Sequence, residues 1–386
     1  MTQTTDIFEP ARLGALELPN RLVMAPLTRN RAEPDGTPTP LMATYYAQRA
    51  AAGLIIAEAS APNAVGQTYP NITAIHTPAH VAGWRRVTDA VRASGGGPMF
   101  LQLQHGGRVG HPATSGHTPV APSPVPLPET IFTPEGHQEA VVPREMTLDD
   151  IRATVADFAR AARNALDAGF EGVEVHSANG HLLHQFLAGN TNRRTDAYGG
   201  SVDGRIRFTV EVVEAVAATI GPELVGVRFS PGHTVNGIEE GDTEDLYPAV
   251  LERLRGLGLA YLHLVYADPD APVFRRIRAG WPGTLIANPV LDEFSAEGVG
   301  RAASRLLVAG ADLIALGRPF LANPDLVTRL RLGAPLNPVR DRYLMYTGGA
   351  TGYTDYPTLD PQPSMPSMPS MPSRDSIVAF DGPRVV

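Results

Sequence analysis

Arg21-Leu-Val-Met-Ala25, followed by Pro26-Leu-Thr-Arg29, separates the two architectures that alternate strands with helices. The apolar pentad reads as a first strand buried on both faces, as a parallel sheet requires. A doubly wound nucleotide-binding sheet would place a glycine-rich phosphate loop after it, and this turn holds no glycine. Gly256-Leu-Gly258 ends a helical pattern and precedes a strand, the wrong context for a dinucleotide fingerprint. Working outward, similar runs recur at Leu54–Glu58, Met99–Leu103, Gly172–His176, Leu224–Phe229, Tyr261–Val265, Thr284–Ala287 and Leu313–Leu316. With the first they make eight strands, the number that closes a (β/α)8 TIM barrel.

The segments between the runs carry helix signals. Thr77-Pro78 reads as an N-cap with proline at the first helical position, and Thr147-Leu-Asp-Asp150 as a capping box. Ile151, Val155, Phe158 and Ala162 then form one stripe facing a sheet, and Phe208, Val212, Ala215 and Val216 do the same after the fourth strand. Residues 1–360 are expected to form a single barrel domain. Arg108 to Arg144, rich in proline and histidine, read as a long excursion after strand three and a candidate lid. Residues 361–386, with their Met-Pro-Ser repeats, read as a flexible low-complexity tail. An alternative is that Ile377-Val-Ala-Phe380 docks on a neighbouring subunit.

Composition removes several function classes. The chain has 386 residues, 43% hydrophobic and 19% charged, and a formal net charge of −8, a balance unlike that of a partner for nucleic acid or an acidic membrane. No cysteine occurs, which excludes disulfides, thiolate nucleophiles, iron–sulfur clusters and cysteine-based zinc sites. With no signal peptide pattern and no apolar stretch of about 18 residues, a cytoplasmic protein is expected.

A barrel of this kind builds its active site at the C-terminal ends of the strands. Polar residues stand there on strand after strand: Thr28, Gln102 with His105, His176 with Asn179, Arg228, Asn288, and Gly317-Arg318. Strands seven and eight are where barrels bind phosphate, and Gly317-Arg318 offers close backbone approach beside a guanidinium. Arg228 leaves a buried strand and needs an anion or carboxylate nearby.

Across roughly residues 6 to 360 the chain resembles the old yellow enzyme family of FMN-dependent ene-reductases, and its classical members in particular. The motifs are Asn20-Arg21 through Ala25-Pro-Leu-Thr-Arg29, Gln102-Leu-Gln-His105, Gly169-Phe-Glu-Gly-Val-Glu-Val-His176, His184-Gln-Phe-Leu187, Tyr198-Gly-Gly-Ser201, Gly317-Arg-Pro-Phe320 and Gly352-Tyr-Thr-Asp-Tyr-Pro357. The resemblance implies FMN with its phosphate at Asn288, Gly317 and Arg318, and its ring near Pro26, Thr28, Ala59, Gln102, His176 and Arg228. It implies that His176 and Asn179 hydrogen-bond the substrate's oxygen, so that hydride reaches an activated alkene. Thr28, Tyr69, Gln104 and Tyr353 are the further substrate contacts it implies, and NAD(P)H is the implied hydride donor.

One departure stands out. The family's proton-donating tyrosine is replaced by His181. Three readings follow: His181 is the acid; Tyr69, Tyr353 or water substitutes; or no proton donor is needed. The last opens an alternative function, a redox-neutral FMN isomerase or a biosynthetic flavoenzyme with a different reaction. A metal site on His176, His181 and His184 is disfavoured, because no carboxylate at ligand spacing accompanies them. The expected assembly is a monomer or homodimer.

Overall fold

A computed structural model describes residues 6–359. The tail expected over 361–386, with its docking segment at 377–380, lies outside them. Eight strands, β1 (Leu22–Met24), β2 (Leu54–Ala61), β3 (Met99–Leu103), β4 (Gly172–Ser177), β5 (Val225–Phe229), β6 (Tyr261–Ala267), β7 (Leu285–Pro289) and β8 (Leu313–Leu316), pair in parallel with their sequence neighbours. β1 bonds to both β2 and β8, closing the barrel. Each of the eight apolar runs is one of these strands. β2 runs past the expected Glu58 because Ser60 and Ala61 pair with Thr73–Ala74.

Side chains alternate along each strand, so one parity fills the barrel and the other meets the helices. Val23, Ala25, Leu54, Ile56, Phe100, Tyr261, Ile286, Leu313 and Ala315 form the interior cluster, closed from below by Leu13 and Leu18 of the hairpin Ala11–Leu13/Leu16–Leu18. The same parity, one step further along, brings Gln102, Glu174, His176, Arg228, His263 and Asn288 inward. The barrel is thus apolar at its base and polar at its mouth. Gly226 makes room for this layering: a Cβ there would lie 2.2 Å from the Tyr261 ring.

The outer helices are α1 (Pro40–Ala47), α2 (Pro78–Ala93), α3 (Leu148–Asp167), α4 (Val202–Ile220), α5 (Thr243–Leu254), α6 (Pro272–Gly280), α7 (Ala296–Val308) and α8 (Leu326–Leu332). α2 and α3 begin where their caps were expected: Thr77 accepts from His80 N–H and Thr147 from Asp150 N–H, each returning a side-chain bond. Such a cap stabilises by about 1 kcal/mol. The α3 stripe buries Ile151, Phe158 and Ala162 against the outer face of the barrel, while Val155 is half-buried. Among the described residues no helix is long and apolar enough to cross a membrane.

The excursion after β3 is folded. It contains a short helix (Pro112–Ser115), a hairpin (Ile131–Thr133 with Gly136–Gln138) and the parallel pair Val120–Ala121 with Arg144–Glu145. The Arg108 guanidinium anchors it, donating to the carbonyls of Pro126, Asn236 and Gly237. The excursion, a lid candidate by sequence, contributes no residue from 109 to 145 to the walls of the two cavities described below. It packs behind the site, with Val109, Leu127 and Ile131 against Tyr69.

Candidate active site

Two adjoining cavities open at the C-terminal ends of the strands and share Pro26, Leu27, Asn179 and Arg228 in their walls. The first is lined also by Thr28, Tyr69, Gln102, Gln104, His176 and His181, all expected from the sequence. The second runs outward past Asn288, Gly317 and Arg318, also expected. Together they make one cleft with a polar ring at its centre and guanidinium groups toward one end.

The turn after β4 aims the central residues. Asn179 (φ 55°) and Gly180 (φ 74°) both take left-handed backbone, and a Cβ at Gly180 would lie 2.6 Å from the Asn236 Cβ. Asn179 N–H donates to Ser230 Oγ at 2.9 Å, and Asn236 Nδ2 donates to the Asn179 carbonyl at 2.7 Å. His184 clamps the same turn from below. Its Nδ1 accepts from Gly180 N–H at 3.1 Å and its Nε2 donates to Glu240 at 2.8 Å, so it does not face the cavity.

A chain of hydrogen bonds crosses the barrel mouth. Gln102 Nε2 lies 2.8 Å from Glu174 Oε1 and 3.2 Å from His176 Nδ1, and His176 Nε2 lies 3.2 Å from His181 Nδ1. Glu174 is fully buried, which by itself would raise its pKa; His263, Arg228 and the Gln102 bond outweigh that and hold it below the usual carboxylate range. The ionised carboxylate can only accept, so it fixes the amide nitrogen of Gln102 toward itself. Burial holds His181 down to about 4 and His176 well below the ordinary imidazole value, with neighbouring His181 and Arg228 adding to the effect at His176. Both rings are neutral near pH 7.

At the other end Arg228 donates to Asn288 Oδ1 at 2.9 Å, while Asn288 Nδ2 donates to the Ala315 carbonyl at 3.0 Å. The compensation expected for Arg228 is therefore a neutral amide in contact and the Glu174 charge at longer range, which opposes the lowering of its pKa by burial. Its Nε is buried without a partner.

Two expected site residues stand elsewhere. Tyr353 is fully buried, its ring stacked on Tyr45 at 4.1 Å and lying under the guanidinium groups of Arg29 and Arg31, and it lines neither cavity. The cause is the path of the C-terminal segment. Arg29 and Arg31 donate to the carbonyls of Leu344, Met345 and Gly352, which turns Tyr353 inward and leaves Tyr346 on the cavity wall. Ala59 is buried in β2, its carbonyl bonded to Thr73 Oγ1, and is likewise outside the cavity walls. Sequence reasoning missed Tyr346, Asn236 and Tyr266. Tyr266 sits at φ 56° on an irregularity in the β6–β7 pairing, its ring stacked on His233 at 3.4 Å, and a local bulge of that kind leaves no mark in an apolar run.

Comparison with known proteins agrees with this arrangement. Residues 6–337 match the model of the NADH:flavin oxidoreductase / NADH oxidase family. The chain is 40% identical to 12-oxophytodienoate reductase 2 of Arabidopsis thaliana, over 93% of this chain and 97% of that one. It is 40% identical to a probable flavin mononucleotide-dependent alkene reductase of Leishmania infantum, over 91% and 97%. Among solved structures, morphinone reductase in complex with tetrahydroNAD superposes with a TM-score of 0.86 at 44% identity, over 92% of this chain and 98% of that one. A closed parallel barrel, a cleft at its strand ends and matches along almost the whole chain lead to one conclusion: the protein belongs to the NADH:flavin oxidoreductase / NADH oxidase family, in which the old yellow enzymes fall.

Proposed function

We propose that the protein reduces the carbon–carbon double bond of an α,β-unsaturated carbonyl or nitro compound, with Asn179 and the His176–His181 pair facing the substrate's oxygen. The chain is an FMN-dependent oxidoreductase that draws hydride from NAD(P)H. When bound, FMN takes hydride from the nicotinamide and supplies it to the alkene.

The residues present fit that cofactor. Both amide hydrogens of Gln102 are committed to Glu174 and His176, which leaves Oε1, an acceptor suited to a pyrimidine N–H. Arg228, buried and with its Nε unpartnered, would supply a fixed cation to the negative charge of a reduced ring. Asn288, Gly317 and Arg318 would hold the phosphate at the outer end of the cleft.

The observation that carries the reading is the juxtaposition of the two cavities. Neutral donors at the centre can polarise an oxygen, and the shared wall would let that oxygen lie beside a bound ring. The relatives are named as reductases of an aldehyde, of 12-oxophytodienoate and of alkenes, which supports reduction over the redox-neutral alternative. The test is anaerobic mixing of the purified yellow protein with NADPH and then 2-cyclohexenone. Bleaching of the flavin band followed by its return on adding the enone is the expected result. A colourless protein, or bleaching that no activated alkene reverses, would contradict the proposal.

A further inference from the structure

The hydrogen-bond chain has a direction, set at its buried end. Glu174 accepts from Gln102 on one oxygen and from His263 Nδ1–H at 2.8 Å on the other. Because the carboxylate cannot donate, Gln102 turns its NH2 group to it, and the second amide hydrogen points at His176 Nδ1. His176 Nδ1 is therefore an acceptor, and a neutral imidazole that accepts at Nδ1 carries its proton on Nε2. That Nε2–H points at His181 Nδ1, so His181 also accepts at Nδ1 and carries its proton on Nε2; the Ala178 carbonyl beside the ring favours the opposite tautomer, but there the His176 Nε2–H would meet a second N–H. His181 Nε2 is buried, has no partner, and belongs to a residue lining the first cavity. Asn179 Oδ1, on the same cavity, is likewise buried without a partner.

We infer that the substrate's oxygen is anchored by His181 Nε2–H together with the Asn179 amide, and that Glu174 is the positioning residue that makes His181 a donor by fixing the tautomers of both histidines through Gln102. The inference rests on the proposed function for the identity of the substrate. His176, whose Nε2–H is spent on His181, becomes a relay of orientation. The chain also excludes one role: it begins at an amide, which has no proton to give up, so no net proton can be delivered along it to the substrate. His181 holds the oxygen while the α-carbon takes its proton from another source, such as water entering the cleft.

The test reads the tautomers directly. In the FMN holoenzyme labelled with 15N-histidine, long-range proton–nitrogen correlation at pH 7, assigned with His176→Gln and His181→Gln, is expected to show both rings neutral and protonated at Nε2. A His181 protonated on Nδ1, or carrying two protons, would overturn the inference in the unmodified protein. Addition of 2-cyclohexenone to the oxidised holoenzyme is expected to shift the His181 Nε2–H resonance and leave the His176 Nε2–H nearly in place; a shift confined to His176 would return the anchor to that ring. In Glu174→Ala, Gln102 is free to turn over, so His181 is expected to show both tautomers and the KM for 2-cyclohexenone to rise about tenfold, the weight of one hydrogen bond. A His181 that remains wholly Nε2–H in that variant would remove Glu174 from the role. Absence of enone turnover in the parent enzyme would sink the proposed function instead, and the tautomer measurement would still stand or fall by itself.

Discussion

Replacing His181 by glutamine changes how stability depends on pH, by an amount the structure sets. In the folded chain burial holds the His181 pKa at about 4, against an ordinary 6.5 once the chain unfolds. Between those values the unfolded chain binds a proton that the folded chain refuses, so falling pH favours unfolding. The stability contributed by a neutral His181 is thus complete above about 6.5, is lost progressively as pH falls, and levels off below about 4. Each unit of pKa difference is worth about 1.4 kcal/mol, so the whole window amounts to about 3 kcal/mol. Other groups titrate in the same range. His105, which burial brings to about 3, adds a loss of the same sign. Glu58, raised by burial to about 7, has the opposite sign and gains stability as pH falls toward its ordinary value. Glu58 owes nothing to His181 and cancels in the difference, whereas His105 and His176 are each lowered partly by His181, so its removal narrows their windows and makes the variant's dependence shallower still. The measurement is urea unfolding at pH 4.5, 5.5 and 6.5 on protein stripped of cofactor, followed by the fluorescence of the buried Trp84 and Trp281. The parent curve should fall more steeply than that of His181→Gln by about 1 kcal/mol per pH unit over that range. Parallel curves would mean that His181 titrates normally in the fold, and the neutral donor argued above would lose its basis.

Two further outcomes follow from the same geometry. A ring with a pKa of about 4 is protonated in about one molecule in a thousand at pH 7, so the rate of reoxidation by an enone should be level from pH 5.5 to 7.5 with respect to His181; a limb near pH 6.5 in the parent that disappears in His181→Gln would identify an acid at that position. Tyr353→Phe removes a hydroxyl that has no partner and lines neither cavity of the site, so stability should move by no more than about 0.5 kcal/mol and the enone KM should not change; a KM that rises would bring Tyr353 back to the substrate.

The parts of the fold legible in the sequence are those governed by period and by local caps. Eight apolar runs sufficed for the barrel because a strand buried on both faces needs no partner to be recognised, and Thr77 and Thr147 mark helix starts through bonds that span three residues. The strand parity that places Phe100 and Tyr261 at the base also places Gln102 and His263 at the mouth, so the polar ring was readable once the strands were assigned. Tyr353 was not readable. Its position depends on Arg29 donating to the Met345 carbonyl across 316 positions of chain, and no local pattern encodes where a terminal segment turns back.

The substitution at 181 shows why a site residue has to be judged with its neighbours. A phenol accepts and donates at a single oxygen, so a tyrosine taking up the His176 Nε2–H would offer its own hydrogen from that same atom. An imidazole offers an acceptor on one edge and a donor on the other. Placed 3.2 Å from His176 Nε2, it takes up that hydrogen at Nδ1 and presents a new one at Nε2, shifting the donor one ring nearer to the cavity. The shift works only if every link upstream is held in one orientation, and the link that holds the rest is the acceptor-only carboxylate of Glu174 at the base of the chain. Loss of the tyrosine therefore does not imply loss of polarisation at the substrate's oxygen. It transfers that task to a histidine whose direction is decided inside the barrel.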